Sequence, residues 1–196
     1  MTGPAIWLWG NPLLACTRFS FGAACIFLYV GAEVAIGSLI VGYLMQDSVM
    51  GLTERGAGDL IFIYWGGALI GRIIGSAVLR FVSPGLVLAG VAAGAIALVL
   101  FSTTSTSTTA GYSLLAVGLM NSIMFPTIFS LACEKLGAKA ADGSGIINIA
   151  IFGGAVIPLL TGTLADASGS LRTAMLLPIA CYAIIAGFGF YARRAA

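Results

Sequence analysis

Glu33, Arg72, Asn121 and Asn148 are the strong polar side chains set inside long apolar runs of this chain. Glu33 is the one acid deep within such a run, flanked by Gly31 and Gly37. A carboxylate at membrane depth costs a few kcal/mol or more unless it faces water, a partner or a proton. Its candidate roles are therefore acceptor for a ligand hydroxyl, proton carrier, or structural partner of Arg72 or of a backbone donor. Arg72 in turn could pair with Glu33, anchor its own helix, or donate to a ligand hydroxyl. An asparagine amide offers two donors and an acceptor, which suits a polyhydroxylated solute. The same amide also serves as interhelical glue, worth about 0.6 kcal/mol on average.

Other chemistry is poorly supported. The chain has no histidine, so Ser-His catalysis and histidine metal sites are excluded. Gly143-Ser144-Gly145 resembles a nucleophile turn only faintly and reads as a small-residue entry to a helix. Cys16, Cys25, Cys133 and Cys181 include no C-x-x-C pair and read as small hydrophobes. A net charge of +2 with no basic cluster gives no footprint for nucleic acid. No metal site, cofactor or enzymatic activity is expected.

The elements that must position these side chains are six apolar stretches, at roughly 17–45, 58–81, 85–101, 108–133, 144–165 and 173–192. A helix needs about 20 apolar residues to cross the hydrocarbon core, and most of these runs reach that length. They lack the period-two alternation of barrel strands, so helices are expected. Hydrophobic residues make up 60% of the chain and charged residues 8%, against about 25% charged in a soluble domain. The expected class is all-α, a polytopic protein of the cell (inner) membrane in contact with the lipid bilayer.

Lysine and arginine sort by side. Six spans put both termini on one face, which then carries Arg18, Arg80, Lys135, Lys139, Arg193 and Arg194. The opposite face carries Arg55 and Arg172. The positive-inside rule makes both termini cytoplasmic. Residues 1–16, with Trp7 and Trp9, read as an interfacial segment or as a remnant of a linker from a longer chain, and no secretory signal peptide is expected. Residues 17–196 form the bundle.

The chain also matches itself at an offset of 87 residues. Trp65-Gly66-Gly67-Ala68 falls on Phe152-Gly153-Gly154-Ala155, and Val30-Gly31 on Val117-Gly118. Each unit, about 17–101 and 108–192, holds three helices. An odd number of crossings inverts the second copy, the plan of many secondary transporters. Gly67, Gly71 and Gly75 recur at four-residue spacing, as do Gly154, Pro158 and Gly162, so close helix packing is expected at these glycines. Pro126 and Pro158 lie inside helices and free the carbonyls of Ser122 and Gly154. They are candidate break or gating points, or plain kinks.

Tyr29-Val30-Gly31-Ala32-Glu33-Val34-Ala35-Ile36-Gly37-Ser38 resembles the seventh helix of the fucose–galactose–glucose proton symporters of the major facilitator superfamily. Gly71-Arg72 with Gly75 is similar to their eighth helix. Asn121-Ser122-Ile123-Met124-Phe125-Pro126-Thr127-Ile128-Phe129-Ser130 is similar to their tenth. Gly143-Ser144-Gly145, Gly153-Gly154-Ala155 and Asp166-Ala167 look like the eleventh. Glu33 and Phe125 favour the glucose/galactose branch, since the fucose branch tends to carry Gln and Tyr there. The resemblance implies the C-terminal six-helix half of a twelve-helix hexose–proton symporter, with Glu33, Arg72, Asn121, Asn148 and Phe125 at the sugar. It also implies that the acids assigned to proton coupling belong to the N-terminal half, so the proton is a partner only with that half. Two other readings stand beside it. One is a self-sufficient six-helix transporter that pairs with a second copy. The other is a non-transporting membrane scaffold or remnant.

Overall fold

The computed structural model describes Leu13 and residues 15–194. The expected interfacial segment therefore lies, apart from Leu13, Ala15 and Cys16, outside the described residues. The described residues form nine α-helices: α1 Thr17–Met45, α2 Glu54–Val78, α3 Pro84–Thr104, α4 Thr108–Asn121, α5 Met124–Cys133, α6 Ala140–Ala150, α7 Gly153–Ser168, α8 Leu171–Ala174 and α9 Leu176–Arg194. They make six spans of membrane-crossing length and composition. The fourth span is α4 with α5, the fifth α6 with α7, and the sixth α8 with α9.

Local chemistry sets the ends. The Thr53 hydroxyl accepts from the Gly56 amide, which starts α2 four residues before the apolar run expected at 58. Pro84 opens α3 at a first-turn position, where its missing N–H costs nothing. Gly169 closes α7 at φ 64°, a left-handed conformation that glycine adopts without a Cβ clash. Three spans are interrupted: the fourth at Ser122–Ile123, the fifth at Ile151–Phe152 and the sixth at Met175.

The packing pattern is symmetric under the 87-residue offset. The first span packs on the fifth, and the fourth packs on the second. The third packs on the fourth, and the sixth on the first. The third and sixth pack on each other. Exchanging spans one to three with four to six leaves this set unchanged, as two copies of a three-helix unit require. Gly31 and Gly118, partners under the offset, both mark backbone-close crossings. A Cβ on Gly31 would strike Ile157, and one on Gly118 would strike the Tyr64 carbonyl.

The glycine expectations divide. Gly67, Gly71 and Gly75 face Leu119, Ser122 and Ile123 of the fourth span, and Gly154 faces Val30 of the first. Gly162 does not pack closely: a Cβ there meets nothing within 4 Å. The buried stripe of α7 is Gly153, Ile157, Thr161 and Ala165. Gly162 lies one residue further round, about 100° away on a 3.6-residue turn.

Polar ties fasten both ends of the bundle. At one end Arg18, 5% exposed, donates from Nε to the Leu131 carbonyl at 2.9 Å and pairs through Nη2 with Glu134. At the other, the Tyr43 hydroxyl donates to the Ser102 carbonyl at 2.7 Å, and Ser102 Oγ donates to that of Ala110 at 2.7 Å. The second and fifth spans, partners under the offset, are the least covered. Phe62, Leu69 and Ile73 of α2 and Phe152 and Leu159 of the fifth span are all exposed. These apolar side chains face lipid or another bundle.

Candidate functional site

Glu33, Tyr29, Trp65, Arg72, Phe125 and Pro126 line a hollow of about 450 Å³ on the side of the bundle. An adjoining hollow of about 310 Å³ shares Glu33, Trp65 and Arg72 and adds Ala68, Leu69 and Ser122. Both volumes fall in the range of about 300–1,000 Å³ that holds small molecules. Tyr29 and Glu33 stand one turn apart on α1, so both side chains reach the same wall. Trp65 and Arg72 stand two turns apart on α2. Phe125 and Pro126 enter from the first turn of α5, just past the interruption of the fourth span.

The hollow combines an acid, a guanidinium and aromatic faces. Glu33 is half-buried and Arg72 is exposed. They line the same space, and among the described residues no ion pair closes between them. The Phe125 and Tyr29 ring centroids are 6.3 Å apart, and those of Phe125 and Phe129 are 6.4 Å apart. Aromatic faces pack on apolar C–H surface, while carboxylate and guanidinium accept from and donate to hydroxyls. Together these suit a small solute with both kinds of surface. Two other clefts of the bundle, one around Gly75 and Val91 and one around Ala23 and Ile146, have almost wholly apolar walls.

Behind the hollow lies a buried polar hub. Asn121 is 0% exposed. Its Nδ2 donates to the Tyr64 hydroxyl at 2.8 Å, and its Oδ1 accepts from the Tyr182 hydroxyl at 2.8 Å. Its carbonyl accepts from the Tyr29 hydroxyl at 3.0 Å. One residue thus joins the first, second, fourth and sixth spans. The hub touches the hollow twice, through Tyr29 itself and through the edge-on contact of Tyr64 with Trp65 at 5.3 Å.

No protein-family model matches the chain. The chain is 51% identical over 168 residues to the glucose/galactose transporter of Brucella abortus, an alignment covering 86% of this chain and 40% of that protein. It superposes on the crystal structure of the Escherichia coli fucose:proton symporter with a TM-score of 0.89 at 30% identity, over 93% of this chain and 44% of that one. A crystal structure of a major facilitator superfamily transporter in the outward conformation matches with a TM-score of 0.86 at 31% identity, over 89% and 42% of the two chains. The chain is one six-helix half of the major-facilitator fold. It spans less than half the length of the proteins it matches.

Within this major-facilitator half, the expected site residues separate into two groups. Glu33, Arg72, Phe125 and Pro126 come together in the hollow. Asn121 and Asn148 do not. Both ends of the Asn121 amide are held by tyrosines, and Asn121 lines neither hollow. Asn148 is exposed on α6 and lines neither hollow. Pro126 sits in the first turn beyond the interruption of the fourth span. Pro158 lies within the continuous helix α7, and the fifth span is interrupted earlier, at Ile151–Phe152. Tyr29, Trp65, Tyr64 and Tyr182 were missed as site or hub residues. Tyr29 could have been found from its one-turn spacing to Glu33, and Trp65 from its two-turn spacing to Arg72. Nothing in the sequence pairs Tyr64 or Tyr182 with Asn121.

Proposed function

We propose that this chain is the C-terminal, sugar-facing half of a proton-coupled hexose transporter of the glucose/galactose kind. The observation that carries this reading is the hollow in which Glu33 and Arg72 stand among Tyr29, Trp65 and Phe125. The 51% identity to a protein named as a glucose/galactose transporter supports the solute class. The hollow opens beside Trp65 and Leu69, which are exposed on α2. A second six-helix bundle seated there would close it from the other side. Alternating access is the rocking of two such bundles about a site between them. One half then supplies half a site and needs its complement to move solute.

In this reading the half sits in the inner membrane with both termini in the cytoplasm, as the six-to-two distribution of lysine and arginine supports. It acts as a carrier, with no bond-making chemistry. The proton enters as coupling ion through the complementary half.

Reconstitution tests the reading. Vesicles holding this chain alone are expected to show no proton-driven accumulation of D-glucose or D-galactose. Co-reconstitution with the N-terminal half of the Brucella relative is expected to restore uptake. Accumulation by the chain alone would overturn the half-site reading in favour of pairing with a second copy. No uptake and no sugar binding in either preparation would support a non-transporting scaffold.

A further inference from the structure

The fourth span is interrupted at Ser122–Ile123, and two carbonyls at that interruption are met by side chains from other spans. Pro126 has no N–H, so the Ser122 carbonyl loses its helical donor. Arg72 Nε of α2 points to that oxygen at 3.4 Å. The carbonyl of Asn121, last residue of α4, accepts from the Tyr29 hydroxyl of α1 at 3.0 Å. Ser122 and Asn121 are both buried, where an unmet carbonyl is costly. Arg72 and Tyr29 are also walls of the hollow, and Phe125 and Pro126, the first turn beyond the interruption, are the wall facing them. The groups that line the solute space are thus the groups that brace the broken helix.

We infer that Arg72 is a positioning residue, which holds the start of α5 in place through the Ser122 carbonyl and so sets where Phe125 and Pro126 stand in the hollow. Tyr29 does the same at Asn121 from α1. At 3.4 Å the Arg72 contact is long, and the guanidinium keeps further N–H groups free for a solute. A solute hydroxyl that draws Arg72 towards itself therefore loosens the brace, and occupancy of the hollow is passed to α5. The solute step rests on the transport reading above; the brace does not.

Hydrogen exchange in lipid nanodiscs separates the two. In the absence of sugar, Arg72→Gln is expected to raise amide exchange across 123–127 about tenfold, with 110–117 unchanged, as a local opening does. Replacing Pro126 by alanine restores an N–H to Ser122, so adding Pro126→Ala to Arg72→Gln is expected to return exchange to the starting level. Tyr29→Phe, which keeps the ring, is expected to raise exchange at the same segment by a smaller factor. The brace is overturned if Arg72→Gln leaves 123–127 unchanged, or if Pro126→Ala fails to rescue it. Because Pro126→Ala by itself also firms the helix, the rescue is read as a cycle: a brace through Ser122 makes exchange at 123–127 respond to Arg72→Gln far less in the Pro126→Ala background than in the native one, whereas loss of folding speeds exchange in all six spans in both backgrounds and overturns the brace. If the brace holds and millimolar D-galactose changes exchange nowhere in nanodiscs holding this chain together with the N-terminal half of the Brucella relative, the sugar reading is wrong and the positioning role stands.

Discussion

A Cβ placed on Gly85 would lie 2.6 Å from the Gly189 carbonyl oxygen, and one on Gly189 would lie 2.7 Å from that of Gly85. The third and sixth spans therefore cross backbone on backbone, and neither position has room for a side chain. Membrane helices associate through such packing, since lipid tails supply no hydrophobic drive between them.

Gly85→Leu and Gly189→Leu are expected to lower stability by about 1–3 kcal/mol each, the cost of overpacking a tight contact. Gly90, on the same helix with nothing within 4 Å of its would-be Cβ, is the control. Gly90→Ala is expected to be neutral or mildly stabilising. Unfolding midpoints in detergent measure all three. Equal losses at positions 85 and 90 would show that the crossing is not the cause.

Asn121→Leu strands the hydroxyls of Tyr64 and Tyr182 in a dry interior. Each unmet polar group costs about 1–3 kcal/mol, and Tyr182→Phe, which leaves the buried Asn121 Oδ1 without its donor, falls in the same range. The pair Asn121→Leu with Tyr182→Phe is expected to cost less than the sum of the two, as contacting groups do. Strict additivity in a double-mutant cycle would refute the hub.

Glu33→Gln keeps the shape and some of the hydrogen bonding but removes the charge. In the reconstituted two-half assembly it is expected to change sugar preference or apparent affinity with little change in expression. Glu33→Leu sets an apolar wall against a sugar hydroxyl. The expected loss is about 1–3 kcal/mol, or roughly 5- to 150-fold in affinity. Normal binding by Glu33→Leu, read by titration calorimetry with D-glucose and D-galactose, would make the residue structural.

Topology is checked by thiol labelling in a background without the four native cysteines. Thr106→Cys is expected to react from outside intact cells, and Lys139→Cys only after permeabilisation. The reverse pattern would place the termini outside.

The spans were legible because burial in lipid leaves a long apolar run that no neighbour obscures. The first and fourth runs, 17–45 and 108–133, coincide with the helical spans Thr17–Met45 and Thr108–Cys133. The second differs, because Thr53, Glu54 and Arg55 extend the helix into polar sequence through a cap that hydropathy does not register. Pro126 pointed to the Ser122 carbonyl, since proline's effect on the residue four back is covalent geometry. What met that carbonyl, Arg72, lies 50 residues away and follows only from the fold. The partners of Asn121 were hidden for the same reason. An amide that can serve a sugar can equally serve two tyrosines 57 and 61 residues distant. The stripe containing Gly162 was misplaced because four-residue spacing defines a face of a helix but not which face meets a neighbour.

The hub also carries a consequence for biogenesis. Asn121 reaches the membrane well before Tyr182, which follows it by 61 residues. At a synthesis rate of about 5–20 residues per second, the amide oxygen waits roughly 3–12 s for its donor. Until the final helix leaves the translocon, an acceptor in the bilayer interior has only transient partners. The last helix thus completes the hydrogen bonding of the fourth, and truncation before position 182 leaves the Asn121 amide oxygen without its tyrosine donor.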